Sequence, residues 1–88
     1  MEKKDAILRL VWGVMADELE ANKHKGDNWT NMSKKEFLFE LYYHVGKLQN
    51  AIMSDDVENV KQYTADILNT CGFLLDTLDQ KLIYHSSL

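Results

Sequence analysis

Six polar residues in the middle of the chain have types and spacing that could do chemistry: Tyr43, His44 and Lys47, then Tyr63, Asp66 and Asn69. Steps of three or four residues within each trio place its side chains on one helical face. Lys47 and His44 can contact phosphate, and Tyr43 can stack on a base. Asp66, Asn69 and Tyr63 supply further hydrogen-bonding groups. Covalent catalysis is unsupported, because no serine sits in a nucleophile elbow and Cys71 has no base that the sequence sets beside it. His24, His44 and His85 are far apart, and no His/Cys cluster has zinc spacing.

These residues lie on a stretch, Leu41 to Asn69, that reads as two antiparallel amphipathic helices joined at residues 53–56. Leu41, Val45, Leu48 and Ile52 give the first apolar stripe. Val57, Val60, Thr64, Ile67, Cys71, Leu74 and Leu78 give the second. Ser33 and Glu36 form a capping box before Phe37, Leu38 and Leu41, so this helix is expected over about 34–53. Asp55 with Glu58 offers a similar start for the next, over about 56–82. At 1.5 Å per residue that helix is about 40 Å long and overhangs its neighbour. Residues 83–88 are expected to fray.

Before this stretch, a helix over about 2–23 carries Ala6, Ile7, Leu10, Val11, Val14, Met15 and Leu19. Leu8 and Trp12 fall off that stripe, either as a flank of the core or as a subunit contact. Gly13 points to close helix packing there, since it otherwise only weakens the helix. Asp17, Glu18 and Glu20 read as a solvated face. Residues 25–32 break the period, with Gly26 placed as a C-terminal cap. Trp29, the one aromatic in that loop, is either a plug for the end of the bundle or a stacking surface beside a ligand.

Composition bounds the rest. Eighty-eight residues make one domain, 1–88, too small for a large core. The single cysteine excludes an internal disulfide and is expected to be a small buried hydrophobe. A net charge of −4 disfavours nucleic-acid binding. Proline is absent, which suits long helices. No apolar run reaches membrane-spanning length, no signal peptide is evident, and a cytoplasmic protein without membrane partners is expected. A hydrophobic fraction of 45% is generous for three helices and points to burial against another subunit.

Residues 21–29, Ala-Asn-Lys-His-Lys-Gly-Asp-Asn-Trp, followed by Met32-Ser33, resemble the loop of the short MazG-like proteins common in phages and bacteria. These belong to the all-α nucleoside triphosphate pyrophosphohydrolase superfamily. Leu48-Gln49-Asn50-Ala51 resembles the end of the family's second-helix motif. Asp66 and Asn69 match part of its third-helix motif. The resemblance covers about residues 16–79. It implies an all-α antiparallel bundle of three main helices, completed to a four-helix type by dimerisation, with a tetramer as the alternative. It also implies carboxylates on two facing helices that hold magnesium for triphosphate hydrolysis.

Here the chain departs from the family. Tyr43-His44 stand where the family has two glutamates, Lys47 where it has a third, and Tyr63 where it has a fourth. Only Asp66 survives of that set, so no metal or catalytic residue is assigned and no cofactor is expected. The expected function is a non-hydrolytic module that binds a nucleotide through Lys25, Trp29, Tyr43, His44, Lys47, Tyr63, Asp66 and Asn69. A protein-binding inhibitor or regulator, using Trp12, Tyr42 and the helix overhang, is the companion reading. The alternatives are a pyrophosphohydrolase with an altered site, in which His44, Asp66 and Glu40 hold a metal and Mg2+ is a cofactor, and a structural oligomer without ligand. Lys47 is expected either to pair with Asp66 across the helix interface or to reach solvent while Asp66 stays half exposed.

Overall fold

The computed structural model describes residues 2–23 and 31–86, with side chains through residue 79. It consists of three helices: α1 (Lys3–Ala21), α2 (Lys34–Met53) and α3 (Val57–Ser86). There is no strand among the described residues. The helices pack into an all-α bundle in which α1 and α2 both rest against α3. No helix among the described residues is long and apolar enough to cross a membrane.

Local sequence sets the helix ends. The Ser33 hydroxyl accepts from the Glu36 amide at 3.2 Å, and the Glu36 carboxylate accepts from the Ser33 amide at 3.2 Å. This reciprocal box starts α2 as expected. At the other end, the Asp56 amide donates to the Ala51 carbonyl at 2.9 Å and the Asp55 amide to the Ile52 carbonyl at 3.2 Å. That pattern is a Schellman close, with Asp55 at φ 55° in the left-handed position that glycine usually fills. A residue in that conformation cannot also be the extended cap of the next helix. The start of α3 therefore moves one residue beyond the expected Asp55 cap. Asp56 accepts from the Asn59 amide at 3.2 Å and from its side-chain nitrogen at 2.7 Å.

α1 closes through Asn22, whose side-chain nitrogen donates to the Glu18 carbonyl at 2.9 Å and to its carboxylate at 2.7 Å. The proposed Gly26 cap and the Trp29 plug lie outside the described residues. The far end of α3 departs from expectation: its backbone stays helical through Ser86 instead of fraying after residue 82. No glycine or proline follows Gly72 to interrupt propagation.

The core is thin. Among the described residues, Phe37, Ala51 and Ala65 are the buried apolar ones, joined by Asn69. Because α1 and α2 share α3, the best-covered positions on α3 are Ala65 and Asn69, while Val57 and Leu78 of the expected stripe stay exposed. Cys71 is exposed too, contrary to the expectation of a buried thiol. It borders an open apolar groove of about 290 Å³ formed with Phe37, Leu38, Leu41, Leu74 and Leu78. Trp12 is 74% exposed and so is not a flank of the core.

Gly13 does not mark a close approach either. A Cβ built there meets nothing within 4 Å, whereas one at Gly72 meets the Met15 methyl at 3.3 Å. The tight contact between α1 and α3 is therefore at Gly72. Gly13→Ala is expected to stabilise the chain by about 1 kcal/mol through helix propensity. Gly72→Ala gains less, because Met15 must move. Urea unfolding at one protein concentration, with unchanged m-values, checks the order.

Candidate functional site

A cleft of about 430 Å³ opens among the three helices. α2 contributes Glu40, Tyr43, His44 and Lys47 to it. α3 contributes Gln62, Asp66, Asn69, Thr70 and Phe73, and α1 contributes Glu18, Leu19 and Asn22. The helical steps within the two trios of α2 and α3 turn their side chains toward a common space. Tyr63 lies beside this cleft and joins Lys47 in lining a second depression of about 220 Å³. Lys25 and Trp29 lie outside the described residues.

Lys47 is the centre of the site. Its Nζ lies 4.8 Å from the Tyr43 ring centroid and 4.9 Å from that of Tyr63. Both distances fall within cation–π range, so two rings from facing helices share one ammonium. Hydrogen bonding with the Tyr43 side chain is the main cause that holds the Lys47 amine above its ordinary pKa of 10.5. Partial desolvation opposes this, and the charges of Tyr43, Tyr63 and Asp66 add to the rise. The pair considered between Lys47 and Asp66 is not formed among the described residues; Asp66 faces His44 instead. The tyrosine faces claim the lysine head group before it reaches the carboxylate.

His44 bridges two acids. Its Nε2 lies 3.4 Å from Glu40 Oε2, and its Nδ1 lies 3.8 Å from Asp66 Oδ2. The side chains of His44 and Asp66 are 17% and 18% exposed. The His44 ring also stands edge-on to Tyr43, with centroids 5.5 Å apart. Two buried polar atoms in this wall make no hydrogen bond: His44 Nδ1 and Asn69 Oδ1.

These residues do not fit a magnesium ion. Lys47 and the tyrosines occupy the positions where the resemblance calls for carboxylates, and Asp66 is the one acid left of that set. His44, Glu40 and Asp66 also fail to converge on one point, since the two acids face different nitrogens of one ring. Among the described residues no three His, Cys, Asp or Glu side chains gather as metal ligands.

Sequence reasoning missed Glu18, Asn22, Gln62, Thr70 and Phe73 as cleft residues. Glu18 was read as part of a solvated face. The signal available for it was the step of four between Glu18 and Asn22, which turns both to one side of α1.

Because its folded value is raised, Lys47 contributes its stability fully below pH 10.5, and that contribution is lost as pH rises through the raised value. In a titration followed by NMR of the lysine ε-carbons, Lys47 is expected above an ordinary lysine, and Tyr43→Phe lowers it toward the usual value. An unshifted Lys47 would contradict the ring-held ammonium. No protein-family model, curated protein sequence or solved structure matches this chain.

Proposed function

We propose that this chain is a non-hydrolytic helical protein of MazG-like type that binds a nucleotide in the cleft between its helices. The observation that carries the reading is the Lys47 ammonium between the Tyr43 and Tyr63 rings. A tethered cation there balances nearby acids without metal, but it has no open coordination position from which to activate water. The cleft volume of about 430 Å³ falls in the range of small-molecule sites. The exposed Tyr43 ring offers a face for a base. A chain that holds a nucleotide without cleaving it suits an inhibitor, or a sponge for a nucleotide signal.

We further propose that α1, α2 and α3 run antiparallel and that a second copy completes the bundle. The three-residue connection between α2 and α3 supports the first point. Exposed apolar surface supports the second. The apolar groove beside Cys71 and the exposed Leu38, Leu75 and Leu78 form the face to be covered.

Two experiments test these readings. In a thermal-shift panel of nucleoside di-, tri- and cyclic nucleotides, with and without magnesium or manganese, stabilisation is expected without product formation. Metal-dependent release of pyrophosphate would replace the reading with an enzyme, and a flat panel would remove the nucleotide. Light scattering is expected to give about twice the 10.2 kDa chain mass. Leu38→Asp combined with Leu78→Asp should return it to one chain; a wild-type monomer would refute the dimer.

A further inference from the structure

We infer that the inner wall of the cleft reads the amino-bearing edge of a nucleobase, with the phosphates left outside. This rests on the proposed nucleotide binding and names the part of the ligand that enters. Asn69 is 5% exposed, lines the cleft, and its Oδ1 has no hydrogen-bond partner. A buried amide oxygen left in this state carries its full desolvation cost until a donor arrives. The His44 Nδ1 atom is also buried and unpartnered. The Asp66 carboxylate, 3.8 Å from that nitrogen, accepts only. Two acceptors on α3, Asn69 Oδ1 and the Asp66 carboxylate, thus face one space, and a group with N–H hydrogens satisfies them.

The charges of the wall point the same way. Glu18, Glu40 and Asp66 line the cleft, and Lys47 is held between two rings. A triphosphate pushed into that wall would meet these carboxylates at close range. A neutral ring with an exocyclic amine meets no such repulsion. Tyr43, which also lines the cleft and is largely exposed, can lie against its face. Cytosine and adenine carry an amine where uracil and hypoxanthine carry a carbonyl oxygen. At the position that faces Asn69 Oδ1 and Asp66 that oxygen adds another acceptor, while the ring nitrogen beside it changes from acceptor to N–H donor.

The test is calorimetric titration of the full chain with cytidine, uridine, adenosine, inosine and cytidine triphosphate, without metal. At least one amino-bearing nucleoside is expected to bind about tenfold or more tightly than its oxo counterpart. Cytidine triphosphate should then gain little over cytidine. Asn69→Leu should erase the amino-over-oxo preference, and Asp66→Asn, which keeps the side-chain shape, should reduce it; circular dichroism checks that both remain helical. Equal or stronger binding of the oxo nucleosides, or binding of the triphosphate alone, overturns this inference and leaves nucleotide binding standing. No binding by any compound overturns both.

Discussion

Everything in this bundle has to be accommodated on α3. It is the element that both α1 and α2 touch, so two sides of one helix must accept neighbours. Small residues make that geometry feasible. Ala65 is buried, and Gly72 lets the Met15 side chain of α1 reach its backbone. On α2, Ala51 is buried and Phe37 fills the remaining space. With so little bulk at the contacts, the helices approach closely at a few points and leave space elsewhere. The cleft lies in that space, and Asn69 is a buried polar group on its wall.

Such a cleft raises an electrostatic problem. Glu18, Glu40 and Asp66 line one space, and acids in partial burial repel one another unless a cation joins them. A divalent ion is one answer. This chain has another: His44 lies between Glu40 and Asp66, and Lys47 adds a fixed positive charge beside them. The tyrosines make the arrangement specific. An ammonium on a long, flexible stem would otherwise move to solvent, whereas two ring faces and a phenol oxygen give it a position.

The fold was legible where local chemistry decided it. The Ser33–Glu36 box, the apolar periods and the absence of proline are enough for three helices. The cap of α3 moved because the left-handed turn at Asp55 depends on how α2 closes, and a sequence with two adjacent aspartates leaves that open. Gly13 and Gly72 could not be told apart from sequence, because a helical glycine marks close packing only when a neighbouring helix faces it. Cys71 looked buried because periodicity identifies an apolar face without saying what covers it. In the cleft, Tyr43, His44, Lys47, Asp66 and Asn69 were legible from helical spacing, whereas Gln62, Thr70 and Phe73 of α3 were not. Glu18 and Asn22 were not, since their role depends on the way α1 rests on α3.

The thin core and the open cleft have one origin. With Phe37, Ala51 and Ala65 as the buried apolar residues among those described, there is little hydrophobic stabilisation to offset groups such as Asn69 Oδ1 left without partners. In the proposed dimer and ligand complex both deficits would be met from outside: apolar surface by another apolar surface, unpaired acceptors by a donor. The two are on different parts of the molecule. The groove is bounded by Phe37, Leu38 and Leu78, and the cleft by His44, Asp66 and Asn69, with Thr70 on the border of both. A ligand that pins Asn69 and Asp66 would restrain α3 on the side facing α1 and α2. A second chain on the groove would restrain the same helix two residues beyond Asn69, at Cys71. Since α3 is one continuous helix through both regions, assembly and ligand binding would stabilise the same element, and each would favour the other.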